Sequence, residues 1–576
     1  MNNNLTSIVN EKANFIWSVA DVLTGVYKPH EYGDVILPLT VLKRFDQVLS
    51  KTKEEVLKES SKLPETFAQR DMILKSTSKQ NFYNTSKFDF KKLLDDPSNI
   101  ETNFYNYING YSKEVQDIIE NFDLDRHIKR MSNNNILFAV IDRFNSKNSD
   151  LSPEHVSNIE MGYIFEEIIR RFSESHNEEA GQHYTPREVI KLMVNIVFED
   201  QSDLADESKI KTVYDGACGT GGILSEAMQY ASRLNTSSKL ICYGQELNEQ
   251  TYAICKADML IKGEESNNIR HGNTLSGDCF PGEHFDYIMM NPPFGREWKK
   301  EQVEVEKEAK LGADGRFPAG TPAISDSQLL FLENAVSKMN PKGSKVAIIH
   351  NGSALFKGDA GSGESEIRRY VIENDLLDCI IQLPNDIFYN TGIATYIWVL
   401  NNKKPEHRQG KVQLIDASSF FSKMKKSLGN KRNEMNNSHI ETITKLYGDY
   451  VENEYSKIYD NDFFGYKKVT VLQPELNDDN EPKVNKKGDF IVDKSLTDTE
   501  IIPLNENADE YIEREVKPFA NYAYIDDSKT KIGYEISFTK YFYKFQEPRK
   551  TEDIINEILE LDKKLDGVLK ELQDNE

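Results

Sequence analysis

Cysteine is scarce in this chain. Its 576 residues hold only Cys218, Cys242, Cys255, Cys279 and Cys379, an odd, scattered set without a C-x-x-C pair. That excludes a disulfide framework and a thiolate zinc site. The ten histidines show no H-E-x-x-H or comparable ligand spacing, so no metal is expected. No G-x-x-x-x-G-K-[ST] occurs, which argues against an ATP-hydrolysing P-loop. No apolar run approaches the roughly 18 residues of a membrane span. The opening MNNNLTSIVNEKANF lacks the basic-then-apolar layout of a secretory signal. A cytoplasmic protein without membrane contact is the expectation. Basic residues are also short, 71 against 94 acidic, for a net charge of −23. Phosphate neutralisation needs Lys and Arg, so this balance counts against a nucleic-acid binder unless charge is segregated or a partner supplies the contacts.

The length predicts two or three domains. Residues 1–155 read as helical, because NFIWSVADVLTGV and DVILPLTVLKRFDQVL repeat apolar residues at three- and four-residue spacing. A polar, Lys- and Ser-rich stretch from about 51 to 100 interrupts them. Residues 156–430 change texture. The short apolar runs IKTVYDG, LICYGQE, FDYIMMN, KVAIIHN, LDCIIQLP and TYIWVLN have the character of buried parallel strands. Helix-like segments such as ILSEAMQYASRL and EQTYAICKADMLIK separate them, which predicts an α/β fold with an open, doubly wound sheet. Residues 431–576 turn polar, with KRNEMNNSHI and LNDDNEPKVNKKGD reading as loops. In the final segment, 551–574, Ile554, Ile558, Leu561, Leu565, Val568 and Leu572 form a heptad seam weakened by Gly567. It suits packing on its own domain or docking a partner.

Two stretches carry chemistry. VYDGACGTGG, residues 213–222, sets a glycine turn between a strand and a helix, where backbone can approach a ligand unobstructed. Alone, such a turn is a weak signal that fits a dinucleotide or a phosphate. Glu246, ending LICYGQE, is placed to accept from ribose hydroxyls. The second stretch, NPPF at 291–294, follows the apolar YIMM. Consecutive prolines end the hydrogen-bond ladder and force an extended path, so Asn291 and Phe294 are held in a stiff loop. A capped strand end with a packed ring is the bland alternative.

GQHYTPREVIKLM (181–193), VYDGACGTGG and NPPFG, in that order, resemble the amino-group DNA methyltransferases of the gamma arrangement. More closely, the chain resembles the modification (HsdM) subunits of type I restriction-modification systems. IWSVADVLTGVYKPHEYGDVILPLTVLKRFD looks like that family's helical domain, and IIPLNENADEYIEREVKPF…KTKIGYEISFTKYFY like its C-terminal region. The resemblance implies a Rossmann-like methyltransferase domain between an N-terminal helical domain and a C-terminal mixed tail ending in a partner-binding helix. It implies site-specific N6-methylation of a flipped adenine, with S-adenosylmethionine as cofactor. Asn291 and the Pro292 carbonyl would accept the two amino hydrogens, Pro293 would add stiffness, and Phe294 would stack on the base.

Asp215 and the turn Gly216, Ala217, Cys218, Gly219, Thr220, Gly221 and Gly222 would face the cofactor's methionine, and Glu246 its ribose. Gln182, His183, Tyr184, Thr185, Pro186 and Arg187 match the family's other cofactor motif. Gly216 stands where the family commonly has Pro, and Asn273 where an Asp is common; an Asn oxygen can still accept from the cofactor's adenine. Cys218 reads as a small filler. The implied partners are double-stranded DNA, a specificity subunit, a second copy of this chain and a restriction (motor-nuclease) subunit.

The polar stretch 296–325 reads as a mobile loop by length, with Lys299, Lys300 and Arg316 as candidate phosphate contacts. A methyltransferase of protein or RNA amino and amide groups, or a catalytically idle scaffold, remain the alternatives.

Overall fold

A computed structural model describes residues 3–174, 185–199, 210–234, 239–389, 391–543 and 550–573. The strands are β1 (Ile210–Asp215), β2 (Lys239–Glu246), β3 (Ile269–His271), β4 (Tyr287–Met290), β5 (Lys345–Asn351), β6 (Leu377–Gln382), β7 (Thr395–Asn401), β8 (Lys411–Asp416), β9 (Ser422–Leu428), β10 (Lys431–Glu434), β11 (Ser456–Asp460), β12 (Gly465–Leu472), β13 (Asp498–Pro503) and β14 (Tyr524–Tyr534).

Among the described residues, nine strands form one sheet in the order β11-β8-β6-β7-β5-β4-β1-β2-β3. All six apolar runs of the sequence are strands in it. The chain leaves β1 outward through β2 and β3, then returns to β4 on the other side of β1. Their carboxyl ends therefore flank the topological switch point, where an α/β sheet opens a crevice.

The sheet is mixed, which corrects the expectation of parallel strands throughout. β7 runs antiparallel to β5 and β6, and β11 antiparallel to β8. Residues 383–394 contain no helix among those described, so β6 returns as β7 without a crossover. Strand direction was hidden because β7 is buried at every position, as a strand covered on both faces is whichever way it runs.

The N-terminal region is helical, with Tyr32–Leu49 at its centre. Its core, including Ile36, Leu39, Phe45 and Phe104, is continuous with Ala253, Ile254, Ala257 and Leu260 on the helix Glu249–Ile261. Arg44, fully buried, donates to the Val156 carbonyl at 2.8 Å and to Asn158 Oδ1 at 2.6 Å, tying the helices to the chain that enters the next region.

Two expectations for polar stretches are overturned. Residues 296–325 are not a free loop: they include the helix Gln302–Ala309 and bury Trp298, Val305 and Phe317. Trp298 Nε1 donates to the Ala323 carbonyl at 3.0 Å. Arg316 is buried and donates to Glu308 Oε2 at 2.6 Å, Asn334 Oδ1 at 3.0 Å and the Leu275 carbonyl at 3.0 Å, so it is withdrawn from any phosphate. KRNEMNNSHI is likewise not a loop, because it supplies β10 and opens the helix Asn437–Asp449. Asn436 caps that helix, its side chain accepting from the His439 amide.

Beyond the large sheet, β13-β12-β14 form a second, antiparallel sheet. Arg368 on the helix Gly363–Glu373 anchors it, donating to the Tyr534 carbonyl at 2.6 Å. Residues 537–576 make a separate unit containing the helix Thr551–Gln573, on which Ile554, Ile558 and Leu561 of the heptad seam are exposed. Leu565, Val568 and Leu572 have side chains outside the described residues. No described helix is long and apolar enough to cross a membrane.

Candidate active site

β1 ends at Asp215 and the helix Gly222–Leu234 starts seven residues later. The intervening turn needs glycine at Gly219 (φ +52°) and Gly221 (φ +82°), where side chains are strained. At Gly221 a Cβ would also meet Cys255 Sγ at 2.7 Å. The turn is clamped by the neighbouring strand: the Cys218 amide donates to the Gln245 carbonyl at 3.1 Å, and the Gly219 amide to Glu246 Oε2 at 2.8 Å. Cys218, expected to be a filler, is buried, and its contact with Cys255 Sγ, then burial, hold the thiol far above its ordinary pKa.

Asp215 is 1% exposed. One carboxylate oxygen accepts from the Ala217 amide at 3.0 Å, and the other, Oδ2, is buried without a partner among the described residues. Burial pushes this carboxyl up to about 8, against the pull of the Ala217 amide and with help from the Glu246 charge. An unpaired acceptor in such a place invites a cationic donor. Glu246 is arranged differently, with Oε1 accepting from the Asn248 amide at 2.8 Å and both oxygens oriented by backbone.

Asn273 follows β3. Its Oδ1 accepts from the Leu275 amide at 3.0 Å, and its Nδ2 donates to Glu301 Oε1 at 2.7 Å. A buried carboxylate, Glu301, thus stands beside Asn273. It comes from the 296–325 stretch, and no sequence signal separates it from its acidic neighbours.

The stiff loop after β4 lies next to β1. Asn291 Nδ2 donates to Thr185 Oγ1 at 2.9 Å, while Asn291 Oδ1 is buried with no partner among the described residues. The loop is held from beyond by Asp326, whose Oδ1 accepts from the Gly295 amide at 3.0 Å and whose Oδ2 accepts from Gln328 Nε2 at 2.6 Å. Phe294 is half-buried, packed against the sheet core.

One cavity of about 810 Å³ joins these groups. Asp215, Gly216, Ala217, Cys218, Gly219, Thr220, Gly222, Glu246 and Asn273 line it, together with Thr185, Asn291 and Pro293. Pro186, Arg187, Gly221, Pro292 and Phe294 do not. Arg187 instead donates through Nε to Glu166 Oε2 at 2.8 Å and lies over the Tyr163 ring at 4.6 Å. It braces Glu166, a lining carboxylate that sequence reasoning missed. Gln182, His183 and Tyr184 lie outside the described residues.

Residues 157–470 match the family model for N-6 DNA methylases, and residues 12–144 the HsdM N-terminal domain. The MjaIX type I restriction enzyme methylase subunit of Methanocaldococcus jannaschii is 26% identical over 457 residues, covering 76% of this chain and 77% of that protein. The HindI methylase subunit of Haemophilus influenzae is 28% identical over 260 residues, covering 45% and 54%. In fold, the chain is similar to a type I restriction-modification methyltransferase subunit from Streptococcus thermophilus, with a TM-score of 0.64, 23% identity, and 79% and 97% of the two chains covered. With the methylase family spanning over half of the chain behind an HsdM N-terminal domain, the chain belongs to the N-6 DNA methylase family, as an adenine-specific DNA methyltransferase subunit of the HsdM type.

Proposed function

We propose that the cavity binds S-adenosylmethionine along the glycine turn and receives, against the NPPF loop, an adenine swung out of duplex DNA. The observation that carries this reading is that two buried acceptors, Asp215 Oδ2 and Asn291 Oδ1, lack partners among the described residues and belong to residues that line the same cavity. Asp215 Oδ2 suits the ammonium of an amino acid, and Glu246 suits the two hydroxyls of a ribose. Glu301, beside Asn273, suits an adenine amino group. When bound, the cofactor supplies an electrophilic methyl on a sulfonium sulfur.

The chain's own residues act on the nucleophile. An exocyclic amino group conjugated with a purine ring attacks poorly until its lone pair is freed. Asn291 Oδ1 and, by the family resemblance, the Pro292 carbonyl accept its two hydrogens and favour a tetrahedral nitrogen. Acceptors fixed beforehand stabilise the charge that develops, and Thr185 and Asp326 do the fixing. Extruding the base costs a few kcal/mol, and stacking on a ring such as Phe294 returns about 1–3 kcal/mol.

The motif order supports the gamma arrangement. A division at about 155 and 430 follows from the change of texture along the chain. By the family resemblance, target reading belongs to a specificity subunit and cleavage to a restriction subunit, which accommodates a chain of net charge −23. The exposed seam of the helix Thr551–Gln573 suits a partner, whether a specificity subunit or a second copy of this chain. Labelled-methyl transfer to unmethylated duplex, with and without a specificity subunit, tests the proposal. N6-methyladenine in the product supports it; label on protein or RNA in its place overturns it.

A further inference from the structure

The acidic balance of the chain makes one segment stand out. Residues 422–434, SKMKKSLGNKRNE, hold five basic residues and one acidic residue. They form the antiparallel ribbon β9–β10, turned at Gly429 (φ +59°) and Asn430. A two-stranded ribbon on its own is marginal in water, so its root must be held. Lys431 does this from inside. It is buried, paired with Glu188, and donates to the carbonyls of Ile387 and Asn433 at 3.0 Å each. Asn433 Nδ2 donates to the Asn385 carbonyl at 2.9 Å, and the Arg432 amide to the Asp386 carbonyl at 2.9 Å.

With the root fixed, Lys423, Lys425, Lys426 and Arg432 are exposed, and none is in an ion pair among the described residues. Four unpaired cations on a braced ribbon differ from a solvated face, where neighbours of opposite sign are interspersed.

Position supplies the second observation. The ribbon leaves the carboxyl end of β8, which runs parallel to β6 and in the sense of β1 and β4, so it rises from the same edge of the sheet as NPPF. Glu188, its anchor, is three residues from Thr185, the partner of Asn291. From β4 to β8 is four strand spacings, about 19 Å at about 4.8 Å each. Along a duplex that is about five to six base pairs. Arg296, Lys299 and Lys300, exposed just after NPPF, stand nearer the site.

We propose that the β9–β10 ribbon is a phosphate clamp, gripping the DNA backbone about half a helical turn from the base presented to NPPF. This rests on the DNA-directed reading of the cavity. Phosphate contacts of this kind set register and carry no sequence information, so the ribbon raises affinity for all duplexes alike.

The test uses the full-length chain assembled with a specificity subunit and a mixed-sequence duplex, with affinity measured across a range of salt. Lys423→Ser/Lys425→Ser/Lys426→Ser should weaken binding at low salt and reduce the log–log salt slope by about 2 to 3. The matching triple Lys→Arg variant should keep the slope. S-adenosylmethionine binding and methyl transfer at saturating DNA should stay at the wild-type level in both. An unchanged slope in the Ser variant overturns the proposal, as does a wild-type chain that holds no duplex even at low salt. A Ser variant that keeps its DNA affinity but no longer assembles with a specificity subunit also overturns it, assigning the ribbon to a protein partner. A wild-type chain that transfers methyl to no DNA even with a specificity subunit present overturns the reading of the cavity instead, whatever the slope.

Discussion

The two walls of the cavity are built by opposite means. The wall after β1 and β2 is held by backbone: amides of Ala217, Gly219 and Asn248 orient Asp215 and Glu246, and the glycine turn is clamped to the adjacent strand. The wall after β4 is one loop held by side chains from elsewhere, Thr185 on one side and Asp326 on the other. A backbone-held wall keeps its shape through most substitutions, whereas a loop held by side chains depends on a few distant residues. Damage to the first should therefore be read in donor binding, and damage to the second in transfer.

The largest effect is expected at Asn291. Asn291→Ala removes an acceptor used as charge develops, and kcat should fall by about 10²–10³ while donor affinity is kept. Equal loss of donor binding in a titration would break the division between the walls.

Asp215→Asn comes next and should act on the other wall alone. Without a donor, the folded carboxyl titrates near about 8 and the unfolded one near about 3.9. The folded state holds the proton more tightly, so this group's contribution to stability falls as pH rises through that window, by at most about 1.4 kcal/mol per unit. The variant should lack that slope, melting above wild type near about pH 8 and not near about pH 4. S-adenosylmethionine should raise the melting temperature of wild type far more than that of the variant.

The smallest effect sharpens the comparison at the seam where the two walls meet. Glu301→Gln should weaken donor binding about threefold to tenfold with kcat unchanged. Adding Asn273→Asp returns an acid to the turn and should recover the affinity. A double variant no better than the single one would sink the assignment of Glu301.

What could be read before folding was whatever depends on near neighbours. The glycine turn is legible because Gly219 and Gly221 adopt backbone angles that side chains resist. NPPF is legible because prolines end a ladder wherever they stand. Arg187 was visible as part of a motif, yet its role as the brace of Glu166 was not, since that carboxylate lies on a helix ending before the motif. The 296–325 stretch misled because its acidic and basic residues look solvated in one dimension. Its anchors, Trp298, Phe317 and Arg316, are spaced too widely to reveal a packed face.

The chain's order of residues determined the strand ends, the turn that approaches a ligand, and the amide and ring that a proline pair stiffens, because each follows from dihedral limits and hydrogen-bonding capacity along a few residues. Only the tertiary structure decided that β7 runs backward, that Glu301 and Glu166 reach the cavity, and that Asp215 and Asn291, which line it too, each keep one oxygen without a partner among the described residues. Burial and pairing are set by what the rest of the molecule brings near, and distance along the chain does not encode that.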